Sequence, residues 1–174
     1  MTELPIQAED RPAAAVLFNV FTEHYPLLVK TIALITRDPP EAEDIVQEAF
    51  LRTYQSWERL RDPSHAPAYV RAVALNLARS RVRSLRSIGQ RGASDEQVRR
   101  AGPEEEAIVA DTHAALLRAL RSLPGRQREC LVLRYYDELS DREIGEALGV
   151  SPGAVKRHLF RGIRKLQKRM EGLA

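Results

Sequence analysis

This chain of 174 residues has a single cysteine, Cys130, and so can close no disulfide within itself. The thiol sits among apolar neighbours on a predicted helix, which reads as a core position in a reducing cytosol. No uninterrupted apolar run approaches the ~20 residues of a membrane span, and no basic start followed by an apolar stretch marks a signal peptide. No membrane insertion is expected. The histidines, His24, His65, His113 and His158, are scattered and lack metal-ligand spacing with one another or with Cys130, so no metal site is expected. Neither a glycine-rich phosphate loop nor a Gly-x-Ser-x-Gly elbow occurs. Carboxylate pairs such as Glu43-Asp44 fall on helix faces predicted to be exposed. No catalytic constellation remains, and neither an enzyme nor a cofactor is expected. Strand-like alternation is missing as well, which leaves an all-α fold.

Charge is present in quantity but segregated. The net charge of +3 divides into −6 for residues 1–58, +7 for 59–92, −4 for 93–111 and +6 for 112–174. Two basic blocks separated by an acidic one read as two contact surfaces for a single polyanion. The length allows one ordinary domain or two small ones.

The chain is organised around the stretch Leu139 to Lys168. Ser140-Asp141-Arg142-Glu143 has the form of a capping box, in which the N-cap serine and the glutamate three residues on satisfy each other's orphan amide donors. A short helix is predicted to follow, burying Ile144, Ala147 and Leu148, and Gly149 ends it in the left-handed conformation. Ser151 and Pro152 then start a second helix. Two helices joined by a tight glycine-containing turn make a helix-turn-helix. At about 100° per residue, Val155, Leu159, Ile163 and Leu166 face the core. Lys156, Arg157, Phe160, Arg161, Arg164 and Lys168 face outward. A charged helix face is ordinarily only solvated. This one has no acid to pair its cations and exposes a phenylalanine, as a helix in the DNA major groove would: cations serve phosphates and base edges, and an apolar ring meets a thymine methyl.

Upstream, residues 1–11 are polar and predicted to be frayed. A helix is expected from about Pro12 to Ile35, with Pro26 as a possible kink or break. Asp38 caps the next helix, with Pro39 and Pro40 in its first turn and Glu41 at the capping-box position. On that helix, Glu41 to Trp57, periodicity turns Ile45, Ala49, Leu51 and Tyr54 inward, and Asp44, Gln47, Glu48 and Arg52 outward. A third helix, Tyr69 to about Ser87, groups Val70, Val73, Ala74, Leu77 and Leu85 on one face. Asn76, Arg79, Arg83 and Arg86 share the other, with Arg71 beside them. Arginine donors suit phosphates and stack on single-stranded bases. Residues 88–103, glycine-containing and poor in apolar side chains, read as a flexible linker. Beyond it, Ile108, Leu116, Leu117, Leu120 and Leu123 form the apolar side of a helix opening at Glu104, and a helix from about Arg126 to Tyr136 leads into the helix-turn-helix. The domains are therefore placed at 12–87 and 104–174, the second made of four short helices.

Two segments carry a family resemblance. DPPEAEDIVQEAFLRTYQSW, Asp38 to Trp57, resembles the core-binding segment of bacterial sigma factors. LPGRQRECLVLRYYDELSDREIGEALGVSPGAVKRHLFRGIRKL, Leu123 to Leu166, resembles their region 4. Both in this order across a linker, over about residues 12 to 170, resemble the extracytoplasmic-function (group 4) sigma factors of the sigma-70 family. The resemblance implies a region 2-like three-helix domain and a region 4-like helix-turn-helix domain that together bind core RNA polymerase, through its β′ and β subunits, and promoter DNA. It implies that Asp44, Gln47, Glu48, Leu51 and Arg52 dock on the β′ clamp helices. Asn76, Arg79, Arg83 and Arg86 would meet the −10 element, helped by the loop Arg61 to Pro67 that starts Arg61-Asp62 and would hold a flipped base. Arg134, Lys156, Arg157, Phe160 and Arg161, with Arg164 beside them, would contact the −35 element. An anti-sigma protein as inhibitor follows from the same resemblance. The loop reads RDPSHAP where a Phe-Arg-Gly type of sequence is common, and Tyr69 stands where a tryptophan is usual. A stand-alone helix-turn-helix regulator with an N-terminal dimerisation or sensing domain is the competing reading, but it has no use for the second basic helix.

If the linker is exposed and unpacked, limited proteolysis of the free protein will cut first between Arg86 and Arg100. Early cleavage elsewhere, with this stretch protected, would contradict a two-domain chain with an open connection.

Overall fold

The computed structural model describes residues 11–60, 62–87 and 114–171, apart from the side chains of residues 11, 12 and 85–87. The chain divides into two compact units between residues 87 and 88. Among the described residues there is no strand. The expectations for residues 1–10, for the linker 88–103 and for a helix opening at Glu104 fall outside the described residues.

In the first unit, α1 (Arg11–Thr36), α2 (Pro39–Gln55) and α3 (Ala66–Ser87) each pack against the other two. The core is aliphatic and small: Leu17, Leu28, Ile32 and Ile35 from α1 meet Ala42, Ile45, Val46 and Ala49 from α2 and Val70, Ala74, Leu75 and Ala78 from α3, all buried. The alanines keep the helices close, so burial is gained by proximity and not by bulk. Helix α1 runs through Pro26 without a break. The ring lies on the exposed side, where the carbonyl it deprives of a donor can reach water. At the far end Phe21 packs on Tyr25, with ring centroids 4.4 Å apart, and meets Phe50 edge-on at 5.2 Å.

The α1–α2 corner is fixed by its cap. Asp38 accepts from the Glu41 amide at 3.1 Å, and Pro39 and Pro40 occupy positions whose amides need no partner. Helix α2 ends at Gln55, short of the expected Trp57, because Trp57–Arg59 winds into a tighter 3-10 turn. Another such turn, Pro63–His65, precedes α3 and moves its start back from Tyr69 to Ala66.

The second unit contains α4 (residues 114–121), α5 (Gly125–Tyr135), α6 (Asp141–Leu148) and α7 (Pro152–Glu171). Helix α7 has 20 residues and is not short. Leu123 is buried as expected, but Leu116 is exposed and Ala119 takes the buried place on α4. Helix α5 is the spine, packing on both α6 and α7. Its first half is polar and nonetheless buried. Arg128, 3% exposed, donates to the carbonyls of Arg121 and Leu123 at 3.2 and 3.1 Å and so satisfies the open end of α4. Arg126 pairs with the buried Glu129 at 3.0 Å and reaches the Leu148 carbonyl at the end of α6. Cys130 is wholly buried, and burial, aided by the neighbouring Glu129 charge, pushes its thiol up to about 11.

The turn between α5 and α6 holds Glu138 at φ 56, in the left-handed region. That conformation brings an L side chain too near its own carbonyl, and Glu138 is exposed. Glu138→Gly should therefore stabilise the protein by about 1 kcal/mol. Chemical denaturation should show a higher midpoint with an unchanged slope, and a lower midpoint would show that the glutamate side chain contributes something the strain does not outweigh.

Candidate functional site

The α6–α7 turn is built from backbone fit. Ser140 and Glu143 form the expected reciprocal cap, the serine amide donating to the glutamate carboxylate at 2.8 Å and the Glu143 amide donating to the serine hydroxyl oxygen at 3.3 Å. Gly149 closes α6 at φ 66, and Ser151 accepts from the Ala154 amide at 3.2 Å at the start of α7. Ile144 and Leu148 are buried, whereas Ala147 is only half-buried. The residue that periodicity overlooked is Gly145. It is buried, and a Cβ there would lie 2.7 Å from the Val150 carbonyl oxygen. Gly162 plays a similar part on α7: its missing side chain lets Leu131 of α5 approach to 2.9 Å of where a Cβ would be. Glycine in these places signals close backbone approach, but only the tertiary contact distinguishes it from a weak helix residue.

This packing presents one face of α7. Val155 and Leu159 are buried, and Ile163 and Leu166 are half-buried. Lys156, Arg157, Arg161 and Arg164 are exposed, and among the described residues none of them has an acid partner. Phe160 is 62% exposed, with the Arg164 guanidinium 5.7 Å from its ring centroid. The arginine thereby screens an apolar ring that water would otherwise meet directly. Arg134 differs from the rest of the nominated set. Half-buried, it forms an ion pair with Asp141 in the first turn of α6.

In the first unit, the nominated residues of α2 divide. Asp44, Gln47, Leu51 and Arg52 are exposed. Leu51 is 55% exposed, which corrects the inward placement that periodicity gave it. Tyr54 is half-buried. Glu48 is held on both sides, accepting from Arg52 Nε at 3.0 Å and lying 3.5 Å from Arg81 of α3. Arg81 also reaches Glu41 at 3.5 Å, so it ties α3 to α2. Sequence reasoning missed this arginine because its partners come from another helix.

On α3, Asn76 and Arg83 are exposed. Arg79 is drawn down onto the helix, donating to the Leu75 carbonyl at 3.0 Å and to Asn76 Oδ1 at 2.9 Å. The Arg86 side chain and all of Arg61 lie outside the described residues. Asp62 caps the 3-10 turn ahead of α3. Its carboxylate accepts from the Ser64 amide at 2.9 Å, and His65 lies 3.2 Å away. The Ser64 amide, the Ser64 hydroxyl and His65 together hold its carboxyl below the usual 3.8. Among the described residues no cluster of three or more His, Cys, Asp or Glu could hold a metal ion, and no helix is long and apolar enough to cross a membrane.

A helix-turn-helix that exposes an acid-free cationic face, accompanied by a separate three-helix unit with its own arginine-bearing helix, defines a two-unit helix-turn-helix protein. Comparison with known proteins narrows the class. Residues 20–88 match the model of sigma-70 region 2, and residues 113–166 match that of sigma-70 region 4. The chain is 34% identical over 146 residues to the RNA polymerase sigma-E factor of Streptomyces antibioticus, covering 83% of this chain and 78% of the relative. It is 31% identical over 166 residues to the ECF RNA polymerase sigma factor SigL of Mycobacterium tuberculosis, covering 92% of each. In fold it is similar to CnrH, solved in complex with the cytosolic domain of CnrY, at a TM-score of 0.66 and 23% identity over 97% of this chain and 100% of that one. The sigma factor RpoE, solved with the anti-sigma factor NepR from Bartonella quintana, gives a TM-score of 0.65 at 18% identity, covering 95% and 98%. This chain belongs to the extracytoplasmic-function sigma factors of the sigma-70 family.

The Gly145 contact yields a direct test. An added methyl there meets a backbone carbonyl and not a movable side-chain end, so Gly145→Ala should cost about 2 kcal/mol and loosen the α6–α7 turn. Thermal unfolding and exchange of the Val150 amide would register it. A variant as stable as the parent would mean that the two helices tolerate separation.

Proposed function

We propose that this protein is a promoter-specificity subunit: it binds core RNA polymerase through α2, opens and reads the −10 element with α3 and the loop before it, and reads the −35 element with α7. The observation that carries the reading is the α7 face, where four exposed cations and Phe160 project without an acid among the described residues. Such a face has little reason to exist without a polyanion that offers base edges in a groove. The protein performs no catalysis of its own and acts in the cytoplasm, with the polymerase. Control by an anti-sigma protein is part of the proposal, supported by the complexes in which CnrH and RpoE were solved. Reconstitution with core polymerase and run-off transcription over a promoter library tests the whole reading. A stand-alone regulator would bind DNA unaided and leave the polymerase's promoter choice unchanged.

Polymerase docking is assigned to the free part of the α2 surface: Asp44, Gln47 and Leu51, with Arg52 and Glu48 beside them. Because Glu48 links α2 to α3 through Arg81, replacing it disturbs the unit itself. Asp44, Gln47 and Leu51 have no such duty. Asp44→Ala, Gln47→Ala and Leu51→Ala combined should weaken assembly with core about tenfold or more while the melting temperature stays put. Unaltered core affinity would remove α2 from the interface.

On α7, residues near the N-terminal end are assigned to base edges and those further along to the backbone. Arg157→Ala should cost about 1–3 kcal/mol and relax preference at one −35 position, and Phe160→Ala should lose a thymine preference. Arg164→Ala should weaken all sequences alike and lower the salt slope by about one unit. Binding of holoenzyme to −35 variants at several salt concentrations measures all three. A uniform loss from each would mean that α7 grips the backbone without reading sequence. Arg134 carries its Asp141 ion pair in the free protein, so a −35 contact by Arg134 requires it to share or leave that pair.

A further inference from the structure

Helix α7 holds more positive charge than base reading uses. Lys165, Lys168 and Arg169 lie beyond the residues assigned to the −35 element and, with Ser122 and Pro124 of the α4–α5 turn, line an open cleft of about 460 Å³. All three cations are exposed, and among the described residues none has an acid partner. No acid is among the residues that line the cleft, so its opposite wall brings no carboxylate against an anion. The Ser122 hydroxyl donates to the Ala119 carbonyl at 2.6 Å, and the buried Arg128 covers the carbonyls of Arg121 and Leu123.

The position of the cleft identifies its occupant. At about 100° per residue, Lys168 falls between Arg157 and Arg161 on the outer face. Lys165 and Arg169 continue round the helix toward the cleft, so one cationic surface wraps from the face of α7 onto its flank. From Phe160 to Lys168 the rise is about 12 Å, close to the ~12 Å width of the major groove. A helix whose first turns lie in the groove brings its last turns to the groove's edge, where phosphates run. We propose that this cleft is a phosphate site: it takes the sugar-phosphate backbone flanking the −35 element and anchors the C-terminal half of α7 outside the groove. The proposal rests on α7 being the recognition helix. An acidic protein segment would satisfy the same cations, but the continuity of the cleft with the DNA-facing side of one helix favours nucleic acid.

The test uses full-length protein in reconstituted holoenzyme and promoter duplexes that either extend beyond the −35 element or stop at its edge. Lys165→Gln, Lys168→Gln and Arg169→Gln together should lower the salt slope of binding by roughly two to three units and leave the ranking of −35 variants intact. The parent should lose affinity on the shortened duplex and the triple variant should not. A charge-keeping variant, Lys165→Arg with Lys168→Arg and Arg169→Lys, should restore the parental slope, which separates charge from any effect on folding. An unchanged slope in the triple variant overturns the proposal. So does weakened polymerase assembly with the slope intact, which would assign the cleft to an acidic protein surface. If the parent itself shows no preference among −35 variants, the recognition-helix reading fails, whereas the duplex-length comparison still reports on the cleft.

Discussion

The approach of the Val150 carbonyl to Gly145 is the contact on which the DNA-binding unit depends. Only a residue without a Cβ lets the chain leave α6, turn at Gly149 and begin α7 within hydrogen-bonding distance of its own preceding turn, as the Val150 amide does by donating to the Gly145 carbonyl at 2.9 Å. That closure sets where α7 starts and thus which residues face outward. Gly162 completes the arrangement by seating α7 on α5. The limit at Gly145 is set by a backbone oxygen and is unforgiving, whereas the neighbour of Gly162 is the end of the Leu131 side chain, which can shift. The Ser140–Glu143 and Ser151 caps complete the turn.

What was legible in the sequence was what is local. The Ser140–Glu143 box, the Asp38 cap with its two prolines, and the Gly149 stop each depend on residues within a few positions of one another. They appear as read, except that Glu41 pairs with Arg81 and the Asp38 amide donates to the Thr36 hydroxyl in place of a closed capping box. Local patterns failed where a neighbour from elsewhere decides. Leu51 fits a buried period but is exposed, with no helix among the described residues covering it. The run Arg126 to Glu129 looks like surface and is mostly interior, because Arg128 satisfies the end of α4 and Glu129 takes Arg126. Helix starts moved for a related reason: Pro63 and Asp62 support a 3-10 turn that feeds α3 earlier than its apolar period suggests.

The same distinction sorts the nominated site residues. Those on α7 have no acid partner among the described residues, and Arg164 lies over the Phe160 ring. Arg134, Glu48, Arg79 and Asp62 look equally available in a string of letters but are occupied by Asp141, Arg81, Asn76 and Ser64 respectively. Charge that holds a fold together and charge that meets a partner have the same composition. Only geometry separates them, and a residue in the first group reaches a partner only by giving up an internal contact.

Cys130 has a practical corollary. It is the only thiol in the chain, it is wholly out of reach, and it stays protonated at any pH at which sulfhydryl reagents are normally applied. A cysteine introduced on an exposed helix turn would therefore be the sole site of maleimide coupling in the folded protein, with no native residue to remove first. A pair of such cysteines, one on each unit, could carry fluorophores or spin labels, making the distance between the two units a measurable quantity in solution, with and without polymerase.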